Sequence, residues 1–527
     1  MESGGCGLLI GENVEVSKVN VNVAEYGKDV FVSCGSGVSL ESKENTSSFA
    51  FFTPLSIPSD VLKLSGSENG EESGVIPLFV FLYTMGTNVI VDGSGGNGMD
   101  HNYCGFDVFR CLTVDYCVNS RLSENSKEIE VVSSSSINDE ITGPSFGVII
   151  SGRITSSSSE GERMGVNVSD GGSDTQDWLV GCSTSLTMSR LSFVVKGQLN
   201  SRRSAFFHST STLDLTNCSV SFESGALTNG KIGYSIIEMT GGNLIVDGFV
   251  MESGVTLKMN GKSPITMRNG VKLELKNSRV SGMEVNVAGG NGGGGCLNVG
   301  MGVNGNVKIE ESNFSSVCSG GNGMKGGGVM ISAGKGGSLE MKGVKYSGCE
   351  VPSEDVEDGG RGMGGGMFVK LADEMGTFVM GGMEFEGCDG WKGKNVFVSG
   401  WNLREIVNKE HLKWEMNDEE LGSLDELCGW ERKTTGEEGY VIPLVVYLWR
   451  NWSRNGFVSK EKGGDFSGCG DSEAPCSSID HLFSLRYGSL GEGESRINIV
   501  GTGAFNRVIS FQTPPSLIET PVVTIEG

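Results

Sequence analysis

The sequence predicts an all-β fold, a stacked parallel β-helix, on three observations. An eight-residue pattern recurs seven times between Leu186 and Phe385, its fifth position favours residues that tolerate a left-handed backbone, and Gly-rich spacers of varying length separate the copies. The copies read LTMSRLSF from Leu186, LDLTNCSV from Leu213, LIVDGFVM from Leu244, LELKNSRV from Leu273, VKIEESNF from Val307, LEMKGVKY from Leu339 and FVMGGMEF from Phe378. Each is apolar at its first, third, sixth and eighth positions, with only Ser278 and Ser312 departing from that rule. Alternate side chains of a strand point to opposite faces, so each half of a copy buries two residues and exposes the one between them. Every copy is therefore expected as two short strands. The turn between them must keep the chain in the stack, which calls for positive φ at one residue. Asn217, Gly248, Asn277, Gly343 and Gly382 meet that need at the fifth position, while Arg190 and Glu311 are exceptions. Successive copies start 27, 31, 29, 34, 32 and 39 residues apart, as solenoid coils with unequal loops would. An antiparallel meander also alternates, but its type I′ turns need paired φ > 0 residues at shorter intervals.

Composition narrows the function classes. Among 527 residues there are 83 Gly without a Gly-x-y period, so glycine serves turns and loops rather than a collagen helix. Lys and Arg number 41 against 65 Asp and Glu, a net charge of −24 with no basic cluster, which argues against nucleic acid and anionic membrane as partners. The opening MESGGCGLLIGENVEV has neither a cationic segment nor an adequate apolar run, so no secretory signal is expected there. The apolar stretches VIPLFVFLY from Val75 and VIPLVVYLW from Val441 are too short to span a bilayer, and no membrane insertion is expected. Sequons at Asn45, Asn167, Asn217, Asn313 and Asn451 are glycosylation candidates if the chain is secreted.

A longer period overlies the short one. GKDVFVSC at Gly27 returns as GKNVFVSG at Gly393, an offset of 366, and GVIPLFVFLY returns as YVIPLVVYLW at the same offset. CGFDVFRCLTVD at Cys104 returns as CGDSEAPCSSID at Cys469. This divides the chain into the end of one β-helix unit (residues 1–58), a connector (59–103), a complete capped unit (104–400), a second connector (401–468) and the start of another unit (469–527). The chain reads as a slice of a longer array. After each Cys-x6-Cys pair an i, i+3, i+4, i+8 apolar stripe follows, Val114, Cys117, Val118 and Leu122 or Ile479, Leu482, Phe483 and Tyr487, as in a short amphipathic helix. Such a helix would shield the open edges of the first coil. Closing Cys104 on Cys111 and Cys469 on Cys476 would fix it there, which makes these four residues disulfide candidates for an oxidising compartment. KEIEVVSS from Lys127 and SRINIVGT from Ser495 read as first strands, and HLKWEMNDEELGSLDELCGW from His411 is the most helix-compatible stretch.

Gly triplets before apolar strands, GGGGCLNV at Gly292, GGGVMI at Gly326 and GGGMFV at Gly364, alternate with FSSVC at Phe314, YSGC at Tyr346 and FEGC at Phe385. In these motifs the chain resembles the pectin-lyase-like right-handed parallel β-helix superfamily, and within it the adhesin-type polymorphic outer-membrane repeat proteins. Cys stands here where those repeats carry Asn. With the recurring Cys-Gly-x5-Cys, it is also similar to the long β-helix arrays of surface proteins in anaerobic protists. The resemblance implies a right-handed solenoid with short capping helices and Gly-rich loops. It also implies one of two activities, adhesion or display at a cell surface, or polysaccharide cleavage.

The residues speak against the second. A glycoside hydrolase of this kind needs paired carboxylates, and no Asp-Asp pair, Gly-His-Gly or Arg-Ile-Lys signature occurs. Four histidines, His101, His208, His411 and His481, are scattered and offer little for metal or acid–base chemistry. Gln176 and Asp177 in SDTQDWL weakly resemble a pectin methylesterase motif without its partner Asp, and an ordinary polar loop explains them. GGNGMD, Gly95 to Asp100, matches one Ca²⁺-binding RTX repeat, but that site requires tandem copies, and a glycine linker is the simpler reading. Cys349 and Cys388 hold equivalent places in adjacent motifs, as small buried apolar residues able to stack. The expectation is a non-enzymatic surface or secreted β-helix array with no catalytic, cofactor or metal site. Its partners would be glycans or cell-surface proteins, and the alternatives are a polysaccharide lyase or hydrolase and a ligand-free structural spacer.

Overall fold

The computed structural model describes most of residues 88–400, parts of 427–482, and the backbone of isolated strands outside those ranges. It divides into two compact units, residues 1–200 with 217–226, and residues 201–216 with 227–527. In both, parallel strands stack coil upon coil as a β-solenoid. In the first unit Ser135–Ile137, Met164–Val168, Leu191–Val195 and Ser219–Phe222 follow one another in parallel register. In the second, Leu213 pairs with Leu244, then Leu273, Val307, Leu339 and Phe378, so the first positions of these six copies stack in turn. A further row of parallel strands runs through Val329–Ser332 and Met367–Lys370, each ahead of a copy, and on to Val396–Gly400 after the last one.

Each eight-residue copy forms the two expected strands, for example Ser185–Ser189 with Leu191–Val195 and Ser338–Lys342 with Lys345–Ser347. Every interior position they assign is buried except Phe385, which is half-buried. Between the strands the fifth residue has positive φ in all seven copies, including the sequence exceptions Arg190 (57°) and Glu311 (46°). The stack imposes this corner, and a residue with a Cβ adopts it at a cost of about 1–2 kcal/mol that neighbouring coils offset.

The two serines inside the apolar stripe have a structural reason. Ser278 Oγ accepts from Phe249 N (3.2 Å) and donates to Lys276 O (2.6 Å), while Ser312 Oγ accepts from Ser278 N (3.2 Å) and donates to Glu310 O (2.8 Å). They pair backbone groups at the corner that the ladder leaves over, and an unpaired buried donor would cost about 1–3 kcal/mol. The alternation of Gly triplets with aromatic residues followed closely by Cys also has one. Phe314, Tyr346 and Phe385 stack at 5.6 and 4.9 Å between ring centroids. A Cβ on Gly366 would lie 2.7 Å from both the Phe385 ring and Asn395 O, so the glycine makes room for the stack.

Outward rows carry alternating charge. In-register stacking brings Glu274, Lys308 and Glu340 into one row and Asp247, Lys276, Glu310 and Lys342 into the next. Lys308 reaches Glu310 at 2.9 Å and Lys276 reaches it at 3.6 Å.

The longer period appears as repeated topology. Val30–Ser33 pairs parallel with Leu64–Ser67, which pairs antiparallel with Ile76–Pro77. Val396–Gly400 pairs parallel with Leu427–Glu431, which pairs antiparallel with Tyr440–Pro443. One part of the helix-compatible stretch is thereby corrected: Leu427–Glu431 is a strand, because pairing with Val396–Gly400 outweighs local helix preference. Residues 404–426 lie outside the described residues. The expected capping helix is short, Val114–Tyr116 continued by a π-helical turn, Cys117–Arg121. Val114, Cys117 and Val118 are buried, whereas Leu122, beyond the last turn, is only half-buried.

Candidate functional site

The most elaborate polar geometry surrounds the Cys-x6-Cys loop. Cys104 is bonded to Cys111 (S–S 1.99 Å) and Cys469 to Cys476 (1.93 Å). In the first copy Ile90 N donates to Gly105 O (2.9 Å), Cys111 N to Ile90 O (2.9 Å) and Asp92 N to Cys111 O (2.8 Å). In the second, Phe457 N donates to Gly470 O (3.0 Å), Cys476 N to Phe457 O (3.0 Å) and Ser459 N to Cys476 O (2.8 Å). Gly105 and Gly470 share φ values of 113° and 112°, a region that strains any side chain. The helical turn begins alike in both, Cys117 N donating to Thr113 O and Leu482 N to Ser478 O, each at 3.3 Å. A short strand, Asn88–Val91 or Asn455–Val458, precedes each loop and pairs parallel with the next one, Glu128–Val131 or Ser495–Ile499.

The side chains around the two loops differ. In the first, the buried Asp92 carboxylate accepts from Arg110 Nη1 (2.8 Å), Ser94 Oγ (2.6 Å), Ser94 N (3.2 Å) and Ser133 Oγ. Burial works to raise its pKa, but the hydrogen bonds from Ser133, Ser94 and Arg110 outweigh that and hold it well below the usual carboxylate range. In the second loop Ser459 stands at the place of Asp92 and Pro475 at that of Arg110. The disulfide frame is thus common to both copies and the ionic cluster is not. The four hydrogen bonds favour the carboxylate form of Asp92, which suits bracing and not proton transfer.

Asp100, the acidic residue of the RTX-like segment, has structural work. It accepts from Leu112 N (2.9 Å), Thr113 N (3.0 Å) and Thr113 Oγ1 (2.8 Å), clamping the start of the helix. Thr113 in turn caps Tyr116 N (3.3 Å). Behind it Asp115 is buried, and burial raises its carboxyl above the ordinary range, opposed by a hydrogen bond from Asn138 N.

Two features on the outer face of the second unit were not read from the sequence. His208, Glu238, Thr266, Asn298, Met330, Phe368, Phe397 and Cys428 form one in-register row, polar at one end and apolar at the other. At the polar end Glu238 accepts from Ser204 Oγ (3.2 Å) and faces Lys262 (3.8 Å) and Arg268 (3.6 Å), while His208 Nε2 bonds Thr240 Oγ1 (3.0 Å). This is one carboxylate among cations, not the carboxylate pair that glycosidic cleavage requires. At the apolar end Phe368 and Phe397 stack at 5.6 Å within a buried cluster with Met363 and Cys428, against Met330 and Trp430. The available signal was apolar residues on both faces of MFVK and VFVSG, a run that does not alternate.

Of the glycosylation candidates, Asn313 is exposed and Asn167 half-buried on outward strand positions. Asn217 sits at a left-handed corner with its carbonyl and side-chain oxygens bonded by Arg163 Nε (3.0 and 3.1 Å). Asn45, Asn451, Gln176, Asp177, His101, His411 and His481 lie outside the described residues. Among the described residues no three His, Cys, Asp or Glu side chains gather as a metal site. Among them, too, no helix is long and apolar enough to cross a membrane. No protein-family model, curated protein or solved structure matches the chain.

Proposed function

We propose that the chain is an extended, non-enzymatic β-solenoid repeat protein of the pectin-lyase-like kind, exposed outside the cell, where it displays loops for adhesion. The observation that carries this reading is the recurrence of the disulfide-closed loop, with the same backbone hydrogen bonds in two copies whose side chains diverge. A frame kept while its decoration varies suits a module made for repetition. Disulfides persist in oxidising compartments, which favours a surface or secreted location. Weak contacts from glycans or cell-surface proteins to many coils would then add up through avidity. The test is incubation of the purified chain with acidic polysaccharides and with immobilised glycans and cells. Saturable binding without turnover is expected; release of unsaturated or reducing ends would instead make it a lyase or hydrolase, and absence of any binding would leave a structural spacer.

A further inference from the structure

The parallel register carries one pair of cysteines beyond the two disulfides. Lys345–Ser347 pairs with Glu384–Glu386 so that Ser347 faces Glu386, and past them Glu350 faces Asp389. Cys349 and Cys388, lying between these pairs, occupy the same place on consecutive coils. Adjacent strands there are about 4.8 Å apart, inside the roughly 4.4–6.8 Å Cα window of a disulfide. Cys349 is fully buried, whereas Cys388 is the one free cysteine among those described that is not buried.

We infer that Cys349 and Cys388 are a reactive dithiol that closes to a coil-to-coil disulfide on exchange with a low-molecular-weight disulfide, with Cys388 as the attacking thiol. Interaction with the neighbouring Cys349 thiol lowers the pKa of Cys388 despite its partial burial, while that interaction and burial together raise Cys349. The accessible sulfur is therefore also the one more readily deprotonated, and the thiolate is the form that attacks. Cys388 thiolate attacks one sulfur of the small disulfide, breaking its S–S bond and expelling one small thiolate, and a mixed disulfide remains on Cys388. Cys349 sulfur then attacks the Cys388 sulfur, its proton passing to the second departing small thiolate. The protein gives up two electrons and the reagent leaves as two thiols. Cys296 and Cys117 lack both conditions: Cys296 is fully buried and pushed up to about 12 by desolvation, and burial also raises the buried Cys117.

The experiment uses the full chain with oxidised glutathione, followed by alkylation and non-reducing peptide mapping. The expected product is a peptide pair joined through Cys349 and Cys388, preceded by glutathione on Cys388, and alkylation of Cys388 about tenfold or more faster than of Cys349 before oxidation. Cys349→Ser should trap the mixed disulfide on Cys388, and Cys388→Ser should abolish both adduct and cross-link. Glutathione that stays on Cys388 in the unaltered chain, or a chain in which Cys388 is neither modified nor cross-linked, overturns the proposal. These readouts on the unaltered chain need no variant to fold, and they do not depend on whether the protein binds glycans.

Discussion

At the scale of the residue, the corner between the two strands of each copy shows how far local preference and global stacking agree. Five copies place Asn or Gly at the left-handed position, and Arg190 and Glu311 adopt it regardless. Asn277, with φ 48° and its amide donating to Asp247 Oδ1 (2.8 Å), is a clean probe. Replacing Asn277 by Val should lower stability by about 1–2 kcal/mol, read from the urea midpoint, because a β-branched residue resists that backbone. Asn277→Gly should stay close to the original, losing only the one exposed hydrogen bond. Equal effects of the two changes would show that the corner is not under conformational constraint. The five favourable residues were legible as a column in the sequence. Arg190 and Glu311 could not be read that way, since what holds them is the coil on either side.

At the scale of the element, the outward rows and the cap make separate predictions. Lys308 sits between Glu274 and Glu340 and touches Glu310. Lys308→Glu would place three like charges in one row, so the urea midpoint should fall, more at low ionic strength than in high salt. Salt-independent loss would point to packing instead. In the cap, Asp115 has a raised pKa from burial. The folded form then binds its proton more tightly than the unfolded chain, so stability from this group is fully present below the unfolded value and is lost as pH rises through the folded one. Asp115→Asn should therefore be the more stable protein at neutral pH, with the advantage vanishing in acid; an advantage that grows in acid would reverse the assignment. The sequence gives a stripe for this helix but not the Asp100 clamp at its start, which is made across a loop of twelve residues.

At the scale of the whole molecule, stability should be local, as expected when each coil contacts mainly its neighbours. Closing a loop of sequence separation 7 constrains the unfolded first cap by about 2–3 kcal/mol in the chain-entropy account. Reduction should accordingly speed amide exchange at Leu112 and Thr113 while leaving the strand Ile265–Lys276 protected; loss of protection throughout would mean that the cap and coils unfold together. The sequence by itself determined the parallel β-helix, the two-strand copies, their buried faces and the recurrence of the cysteine loop, because periodicity and spacing are properties of one chain read along its length. Only the tertiary structure decided which outward residues meet. The alternating charged rows and the apolar end of the His208 row depend on register between coils roughly thirty to forty residues apart, and the Asp92 cluster on contacts from Arg110 and Ser133, 18 and 41 residues away. Loop lengths between copies vary, so neighbours across the stack are fixed by pairing and not by any constant interval in the sequence.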